Sequence, residues 1–341
     1  MKSIALKAGV TQATVSMCLA NNPRISAATR ARVQALAQEL GYRPNPFVSA
    51  LMRQRRQGQE HLDRPVVALV NVFDRAEGWR EHVSPMIRQM REGALERAAM
   101  RGYRGQEFWL HQDDMSPERF CAMLQARGIQ GMLLGPRPDT DQQLPVLRWD
   151  AFAVVSLSVP EPALTLTTVC NDHYFSMLQT IRECHRRGYR RPGLVMRQAH
   201  RARFQGRWDA GFLVSRLLLP GMRLTTPLLF SGRLTGEALA GWLKAQKPDV
   251  VVSLMANDVL SSLNRQGLRV PADIGVAWLS CPEAGHAISG VYQNGQLIGA
   301  TGMDTLISMI ERNERGLPAQ ASTVMIEGVW NPGTTLRAAP V

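Results

Sequence analysis

Residues Ile4 to Ser26 read IALKAGVTQATVSMCLANNPRIS, and they predict two short helices joined by a tight turn. Gly9 follows the first apolar segment and can adopt the left-handed conformation that reverses a chain without a steric penalty. Thr11 can then cap a second helix, because its hydroxyl accepts a backbone N–H that the first helical turn leaves unpaired. Three apolar residues recur at helical spacing and are expected to face inward: Val10, Val15 and Leu19.

The predicted second helix turns small and polar side chains outward. These are Gln12, Ala13, Ser16 and Met17. Two short helices whose second member exposes such side chains match a helix-turn-helix, in which the second helix enters the major groove of DNA. An ordinary helical hairpin has the same pattern, so both interpretations stay open on this stretch alone.

The residues that follow predict a third helix, which Ser26 can cap and Gly41 ends. Its apolar stripe has the spacing i, i+3, i+4, i+7 and consists of Val33, Leu36, Ala37 and Leu40. Pro44 and Pro46 prevent continuation of this helix. A short amphipathic segment, Phe47 to Arg53, then leads into a basic cluster.

Two motifs and the spacing between them resemble the DNA-binding headpiece of the LacI/GalR family of bacterial repressors: AGVTQATVS and RISAATRARVQALAQELGYRPN. The resemblance implies a three-helix helix-turn-helix headpiece followed by a hinge helix, both within residues 1–58. In the family the hinge helix folds on operator DNA, and its leucine wedges into the minor groove at the centre of a dimer. Leu51 matches this leucine. Apolar wedges of this kind unstack a base step and kink the duplex.

The resemblance also implies which headpiece residues contact DNA. In the family the residues that match Gln12, Ala13 and Met17 face the bases, and the last is normally arginine. A methionine cannot make a bidentate contact to guanine, so base reading is expected to depend on Gln12 and on apolar contact with thymine methyl groups. The full set of predicted DNA contacts is Thr11, Gln12, Ala13, Thr14, Ser16, Met17, Asn21, Arg24, Tyr42, Asn45 and Leu51.

The start of the chain differs from the family pattern. Family members usually carry several more residues before this point, commonly T-[LI]-x-D-[VI]-A. We therefore expect either that Ser3 caps a shortened first helix or that the natural start lies upstream.

The positive charge of the chain is concentrated in its first 64 residues. Of a formal net charge of +12 over 341 residues, these residues carry +7, from ten Lys and Arg against three Asp and Glu. A basic head on a nearly balanced body is typical of one module that contacts phosphates. A generally basic, solvated surface is the other interpretation.

Beyond the polar segment RQRRQGQEHLDRP, short apolar runs alternate with longer helical ones. Continuous apolar strands between helices indicate parallel sheets covered on both faces. We expect α/β architecture in residues 59–341, a periplasmic-binding-protein-like body of two doubly wound parallel subdomains that also carries the dimer contacts. Strands are predicted at residues 66–73, 129–135, 152–158, 191–196, 248–255 and 273–280, with a helix around 86–102.

Three further regions resemble the same family: VCNDHYFSMLQTIRECHRRGYRRPGLV, VVVSLMANDVL with GLRVPADIG, and GVYQNGQLIGATGMDTLI. Doubly wound sheets bind ligands at the carboxyl ends of their strands, and in the family a small effector, often a sugar or nucleobase, binds between the halves. Arg207 matches the arginine of the family's R-x-x-G-[FY] helix if Ala210 takes the place of the glycine. The predicted effector-binding residues are Asn71, Phe73, Asp172, Arg207, Asn257, Asp258, Ser280 and Gln293.

The segment WLSCP departs from the family, because many members have G-[FY]-D-D there. Ser280 and Cys281 replace two carboxylates that commonly hold sugar hydroxyls, and a thiol is a poor hydrogen-bond partner. The expected effector is a sugar or related metabolite whose identity stays open.

Several predicted effector residues also have a simpler interpretation. Asp258 is a negative charge at a helix N-terminus, where the helix dipole favours it, and Asp172 is a helix cap. Arg207 is a surface arginine, and Gln293 satisfies the backbone of a loop.

Composition and motifs disfavour several other classes of protein. A hydrophobic fraction of 45% is enough for a sizeable core. The chain has no run of eighteen apolar residues and no signal-peptide pattern, so we expect a cytoplasmic protein without membrane contact. Five scattered cysteines, none in C-x-x-C, predict reduced thiols, and the seven histidines lack metal-ligand spacing. No metal and no cofactor are expected.

Two other functional classes stay open. A periplasmic sugar-binding protein would have the same two-lobed body. It would, however, carry a signal peptide and would lack the basic three-helix head. An enzyme needs a nucleophile and a base in reach, and no G-x-S-x-G, P-loop or H-E-x-x-H motif is present. The headpiece motifs, the charge distribution and the α/β pattern together favour a DNA-binding transcriptional repressor that is not an enzyme. Its expected partners are double-stranded palindromic operator DNA, a small-molecule effector and a second copy of the chain, because hinge helices act in pairs.

Replacing Leu51 with alanine is expected to weaken specific operator binding, while non-specific binding and its steep salt dependence stay close to wild type. The wedge acts only on the kinked operator, whereas phosphate contacts act on any duplex. Gel shifts with operator DNA and with scrambled DNA at two salt concentrations measure both. Equal operator affinity and equal bending by L51A would contradict the hinge assignment.

Overall fold

The computed structural model describes residues 2–19, 25–40, 64–112, 115–137, 144–160 and 164–339. These residues form a helical unit at the N-terminus and a larger α/β unit that begins at Val66. The predicted hinge segment lies outside the described residues. So do five of the predicted DNA contacts, namely Asn21, Arg24, Tyr42, Asn45 and Leu51.

The described part of the helical unit contains α1 (Lys2–Ala8), α2 (Gln12–Leu19) and α3 (Ala27–Glu39). Gly9, with φ +63°, makes the turn between the first two helices. Val10 N donates to Ala5 O at 3.0 Å, which closes this turn. The predicted helix pair and its glycine turn are therefore confirmed.

Hydroxyl side chains start the second and third helices, as the sequence predicts. Thr11 Oγ1 accepts a hydrogen bond from Thr14 N at 3.1 Å at the start of α2. Ser26 Oγ accepts from Thr29 N at 3.3 Å at the start of α3. Each bond satisfies an N–H group that the first turn of a helix leaves unpaired, so the beginnings of both helices are defined by a single side chain.

The three helices enclose a small apolar core. Its buried members are Ile4, Ala5, Ala8, Val15, Cys18, Val33 and Ala37, with Val10, Leu19, Ile25 and Leu36 packed against them. The predicted inward position of Leu40 is wrong, because α3 ends at Glu39 and the side chain of Leu40, its C-cap, is exposed. Cys18, which the pattern did not single out, is fully buried.

The α/β unit alternates strands and helices along the chain. Its first part contains β1 (Val66–Asn71), α4 (Pro85–Met100), β2 (Arg104–Trp109), α5 (Pro117–Ala126), β3 (Gly131–Leu134), β4 (Ala153–Ser156) and β5 (Thr167–Asn171). Its middle part contains α6 (His173–Arg186), β6 (Pro192–Arg197), α7 (Gln198–Arg203), α8 (Arg207–Leu218), β7 (Leu228–Phe230), α9 (Gly236–Gln246), β8 (Val250–Ser253), α10 (Ala256–Arg265), β9 (Gly275–Cys281) and β10 (Gly290–Tyr292). Its last part contains α11 (Gly295–Glu311), β11 (Thr323–Ile326) and β12 (Val329–Asn331).

The strands form two six-stranded sheets, one in each lobe of this unit. The first-lobe sheet has the order β11-β5-β4-β3-β1-β2, and its neighbours are parallel. The second-lobe sheet has the order β12-β10-β9-β8-β6-β7, and only the pair β10–β12 is antiparallel. The predicted architecture of two doubly wound parallel halves is confirmed.

Strand β8 shows how helices cover both faces of the second sheet. Val250 and Val252 lie in one apolar cluster with side chains of α6 and α8. Val251 lies in another cluster, with side chains of α9 and α10. Because neighbouring side chains of a strand point to opposite faces, these three valines pack against helices on both faces of the sheet.

The chain crosses between the lobes at three places. Helix α6 follows β5 almost directly but packs on the second sheet. Helix α11 follows β10 but returns to the first lobe, where its Gly302 lies against Leu133 and Leu157. Strands β11 and β12 are neighbours in sequence but belong to different sheets. The crossing after β5 and the crossing after β11 are hydrogen-bonded to each other, because Asp172 N donates to Ile326 O at 2.8 Å.

Every strand predicted from the sequence is confirmed, with ends displaced by at most two residues. The pattern missed β2, β5, β7, β10, β11 and β12. Strands β2 and β11 lie at or near sheet edges and are half-exposed, so they lack the continuous apolar run that marks a central strand. Strands β7, β10 and β12 are three residues long, which is too short for a period to be recognised.

Helices α4 and α11 approach each other so closely that their contact requires glycine. A Cβ atom at Gly299 would overlap the carbonyl oxygen of Met90, and one at Gly93 would overlap the carbonyl oxygen of Gln296. The overlapping atoms are backbone atoms, so a side chain at either position forces the two helices apart.

Replacing Gly299 with alanine is expected to destabilise the protein by about 1–3 kcal/mol, the usual cost of overpacking. Gly241 in α9 is the matched control, because a Cβ atom there has nothing within 4 Å. Gly241→Ala is expected to stabilise by roughly 0.5–1 kcal/mol, since alanine loses less backbone entropy in a helix. Urea unfolding followed by circular dichroism measures both, and a Gly299→Ala protein as stable as wild type contradicts the close contact.

Candidate functional site

The surface of α2 carries the predicted base-reading side chains. Gln12 and Ala13 are exposed and Met17 is partly exposed. Thr11 and Thr14 have a different position, because their hydroxyl oxygens lie 2.9 Å apart and form a hydrogen bond at the start of the helix. Ser16 lies in α2, and its side chain is outside the described part. The exposed face of this helix is therefore short, uncharged and made by Gln12, Ala13 and Met17.

Contacts with the other two helices hold α2 in place. Val15 is fully buried in the apolar core. Gln34 Nε2 in α3 donates to the carbonyl oxygen of Cys18 at 3.3 Å, which fixes the end of α2. An exposed ion pair between Lys7 and Glu39, at 3.6 Å, joins α1 to α3. The helix that exposes Gln12 is thus positioned by packing and by hydrogen bonds rather than by its own short length.

A cleft of about 470 Å³ lies between the two lobes of the α/β unit. Its first-lobe wall comes from residues 82–87, the start of α4, and the ends of β3, β4 and β5. Its second-lobe wall comes from the end of β6, α7, the turn between β8 and α10, and the ends of β9 and β10. The predicted location of a ligand site, at the carboxyl ends of the strands, agrees with this geometry.

Three predicted effector residues line the cleft: Asn257, Ser280 and Gln293. Gln293 is 1% exposed, and its Nε2 donates to the carbonyl oxygen of Leu279 at 2.6 Å. Its Oε1 has no hydrogen-bond partner within the described structure. A buried acceptor without a donor is costly, so this oxygen is an unsatisfied hydrogen-bond acceptor next to the cleft.

Two other predicted residues, Asn71 and Phe73, organise the loop after β1 instead of lining the cleft. Asn71 Nδ2 donates to the carbonyl oxygens of Arg75 at 2.8 Å and Ala76 at 2.7 Å, and its Oδ1 accepts from Phe73 N at 2.9 Å. Phe73 is buried, with its ring centroid 5.1 Å from that of His82, which does line the cleft. Both residues support the wall from behind.

Asp172, Asp258 and Arg207 are also absent from the lining of the cleft. Asp172 Oδ1 accepts from Phe175 N at 2.9 Å and caps α6, which agrees with the simpler interpretation of this residue. Asp258 is exposed in the first turn of α10. Arg207 Nη1 lies 3.6 Å from Met325 Sδ, close enough to the cleft for its charge to act on His173 and Cys170.

The family motif R-x-x-G-[FY] can be aligned with this helix in two ways. Gly211 packs against α6, since a Cβ atom there would lie 2.6 Å from the carbonyl oxygen of Tyr174. An alignment that pairs Gly211 and Phe212 with the G-[FY] of the motif puts the fully buried Trp208 at the arginine position, whereas the alignment through Ala210 puts Arg207 there.

Sequence reasoning missed the cationic and aromatic part of the cleft. Arg197 ends β6, Arg203 ends α7, and His173, Phe204 and Trp278 line the same cavity. The signal that points to the arginines is the basic run QAHRAR directly after a buried strand, at the edge where ligands bind.

His173 is a neutral side chain inside an aromatic cluster. Its ring centroid is 4.5 Å from that of Phe204 and 4.9 Å from that of Trp208. Burial, together with the charges of Arg207 and Arg203, lowers the pKa of His173 to about 3. The imidazole is therefore uncharged at neutral pH, and its Nδ1 has no hydrogen-bond partner in the described structure.

The thiols near the cleft are protonated. Burial raises the pKa of Cys170, which lines the cleft, to about 11. Burial raises the pKa of Cys281 to about 12, and its Sγ lies 3.6 Å from the carbonyl oxygen of Ile288, away from the lining. Ser280 is thus the only member of the Ser280–Cys281 pair that reaches the described lining of the cleft.

Comparison with known proteins gives matches at both ends of the chain. The family model "Bacterial regulatory proteins, lacI family" matches residues 1–45, and "Periplasmic binding protein-like domain" matches residues 181–333. The HTH-type transcriptional repressor CytR of Escherichia coli K12 is 28% identical in an alignment 291 residues long that covers 81% of this chain and 78% of CytR. CytR of Shigella flexneri has the same identity and coverage.

Solved structures share the fold at low sequence identity. The transcriptional regulator CelR in complex with cellobiose superposes with a TM-score of 0.61 and 22% identity, over 97% of this chain and 98% of CelR. The lac repressor dimer bound to operator and the anti-inducer ONPF gives a TM-score of 0.55 and 16% identity, over 98% of each chain. CcpA of Lactococcus lactis gives 0.60 and 15%, over 80% of this chain and all of the other.

A helical DNA-binding unit and a two-lobed α/β unit with an interlobe cleft define a ligand-responsive regulator of the periplasmic-binding-protein-like type. Residues 1–45 carry the domain of the lacI family of bacterial regulatory proteins, and residues 181–333 carry a periplasmic-binding-protein-like domain. Across the described ranges, none of the helices combines the length and apolar character that crossing a membrane requires. The same residues include no group of three or more His, Cys, Asp or Glu arranged to hold a metal ion.

Replacing His173 with glutamine is expected to flatten the dependence of unfolding free energy on pH. Because the pKa of His173 is lowered to about 3 in the folded chain, the unfolded chain binds an extra proton once the pH falls below about 6.5. Wild type therefore loses stability as pH falls towards 3, with a slope from this residue that approaches about 1.4 kcal/mol per pH unit.

Urea unfolding of wild type and His173→Gln at pH 7.0, 6.0, 5.5 and 5.0 tests the slope, whatever the absolute stability of the variant. The wild-type curve should be steeper below pH 6. Parallel curves would show that His173 titrates normally in the folded chain.

Proposed function

We propose that this chain is a transcriptional repressor whose affinity for operator DNA changes when a small effector, a sugar or related metabolite, binds in the interlobe cleft. The observation that carries the proposal is the combination of one exposed, capped helix on a unit matched by the lacI-family model with a two-lobed unit that contains a cleft. CytR, which is similar over most of both chains, is a transcriptional repressor. The structural neighbour CelR is a transcriptional regulator in complex with cellobiose.

In this proposal α2 reads the major groove. Gln12 is the hydrogen-bonding reader, because its amide can donate to and accept from the edge of an adenine. Ala13 and Met17 supply apolar contact with thymine methyl groups. Thr11, which caps α2, and Thr14, whose hydroxyl is hydrogen-bonded to that of Thr11, contact backbone phosphates in this proposal. The remaining predicted contacts, from Asn21 to Leu51, complete the headpiece and hinge within residues 1–58.

The effector acts by favouring one arrangement of the two lobes. A ligand in the cleft touches both walls, so binding selects a lobe arrangement. The walls are linked by the three chain crossings and by contacts such as the hydrogen bond from Gln89 Nε2 in α4 to the carbonyl oxygen of Pro282 at 2.8 Å. In a dimer this changes how the two hinge segments are presented to DNA. A change in operator affinity by a factor of tens corresponds to a coupling free energy of about 2 kcal/mol. A protein with this role acts on DNA in the bacterial cytoplasm.

Catalysis in the cleft is the weaker candidate. A thiol nucleophile requires a lowered pKa, whereas burial raises the pKa of Cys170. No Asp or Glu is among the described residues that line the cleft, so these residues include no carboxylate that could act as a general base. Binding without chemistry is the use that fits these side chains.

The proposed function is tested with the full chain and the DNA upstream of its own gene. Gel shifts and footprinting should give one protected, nearly palindromic site that scrambled DNA of the same composition does not compete for. A protein that binds both DNAs equally, or neither, is not a sequence-specific repressor.

Replacing Gln12 with alanine is expected to relax base preference at one position in each half-site, by roughly 1–3 kcal/mol. Gln38→Ala is the matched control, since Gln38 is exposed on α3 and removes the same amide from another face of the unit. Affinities for a set of single-base operator variants measure the preference. An unchanged profile for Gln12→Ala, or the same change for Gln38→Ala, would mean that α2 is not the reading helix.

A further inference from the structure

We propose that the effector is an anion, a small hydroxylated compound with a phosphate or carboxylate group that Arg197 and Arg203 hold at the second-lobe wall of the cleft. The ligand class follows from the side chains of the cleft. Only the effect of binding, a change in operator affinity, rests on the proposed function.

The cleft is lined by cationic side chains but by no carboxylate among the described residues. Two arginines, Arg197 and Arg203, lie on the second-lobe wall, and the histidines on the lining are His82, His173, His200 and His286. No Asp or Glu is found among the lining residues that the structure describes. A concave wall with one sign of charge and low-dielectric surroundings concentrates ligands of the opposite sign.

The cationic groups near the cleft are close enough to disfavour one another. The pKa of Arg137, next to the lining residue Pro136, is lowered by burial and then by the charge of Arg203. The same charge contributes, after burial and Arg207, to the low pKa of His173. An anion in the cleft relieves this repulsion, since it places opposite charge among groups that now repel.

Two carboxylates of the second-lobe elements have partners of their own, although Asp209 Oδ2 has no hydrogen-bond partner in the described structure. Asp209, buried at the start of α8, accepts a charge-assisted hydrogen bond from Arg201. Asp172 caps α6 through Phe175 N. Arg197 differs from Arg201, because its Nε is buried and has no hydrogen-bond partner in the described structure.

Arginine chemistry selects the charged group. A guanidinium has five N–H donors in a planar fork and no acceptor, so it suits carboxylate and phosphate oxygens. Neutral sugars instead need acceptors for their hydroxyl protons, and the family carboxylates that supply them are replaced here by Ser280 and Cys281. Only Ser280 of this pair reaches the cleft.

The rest of the cleft fits the hydroxylated part of such a compound. Gln293 Oε1 is a buried acceptor without a donor, and it is suited to a ligand hydroxyl. His173 Nδ1, also unpartnered in the described structure, belongs to a neutral ring that can accept or donate according to its tautomer. Phe204 and Trp278 offer apolar faces to a carbon skeleton. A cleft of about 470 Å³ has the size of a site for a small metabolite.

Calorimetric titration of the full chain with matched compounds tests the charge. The neutral arm contains glucose, galactose and ribose, the phosphate arm contains their terminal phosphates, and the acid arm contains glucuronate, galacturonate and gluconate. We expect binding in one charged arm, at least roughly tenfold tighter than the matched neutral sugar, because hydrogen bonds to charged groups are the stronger ones. The arm that binds identifies phosphate or carboxylate.

Inorganic phosphate is the probe for a bare anion site. Phosphate that binds as tightly as the sugar phosphates overturns the hydroxylated part of the proposal. Binding by neutral sugars alone, or by no charged compound, overturns the proposal as a whole.

Arginine variants locate the anion. Arg197→Gln and Arg203→Gln should each lower affinity for the charged compound roughly tenfold or more. Arg216→Gln is the matched control, because Arg216 is exposed near the end of α8 and its loss removes the same charge. Arg197→Lys keeps the charge but loses the fork and should be intermediate. Unchanged affinity in both cleft variants, with native circular dichroism, overturns the assignment.

The gel shift separates this inference from the proposed function. Specific operator binding together with binding of neutral sugars alone overturns the anionic effector and leaves the repressor in place. Binding of a charged compound that Arg197→Gln removes, in a protein without an operator, supports the ligand class and overturns the repressor.

Discussion

Parallel strand pairing is the constraint on which the cleft depends. In a parallel sheet all carboxyl ends meet at one edge, so the residues that follow β5, β6, β9 and β10 come together although they are far apart in sequence. Parallel strands must also be covered on both faces, which is why β8 supplies one cluster with Val251 and another with Val250 and Val252. Each sheet provides one wall, and the crossings hold the two walls opposite each other.

The sequence predicts the position of the site better than its contents. Central strands, the caps Thr11 and Ser26 and the edge where ligands bind follow from local patterns, because period, capping and parallel pairing are local or topological properties. Which side chain after a strand faces the cleft depends on tertiary packing. Asn71 looks like a ligand contact but binds its own loop, as asparagine often does. Arg197, equally close to a strand end, turns into the cleft.

Polar and basic groups occur in different surroundings on α2 and in the interlobe cleft. Residues 1–64 carry most of the net positive charge, yet the described face of α2 is uncharged, so the charge of this part of the chain lies on side chains outside that face. In the cleft, by contrast, guanidinium groups and a neutral imidazole share one enclosed wall. Enclosure strengthens each electrostatic contact and limits what fits, and this favours selectivity for one compound over attraction to many.

The three crossings have a consequence for the genetics of this protein. The edge strands β11 and β12 come from the end of the chain, and each completes a different sheet. A premature stop codon shortly before Thr323 therefore removes a strand from both lobes, even though more than nine tenths of the chain is still translated. Neither lobe is a contiguous gene segment, so recombination that exchanges one lobe as a block has to bring in two separate pieces of coding sequence.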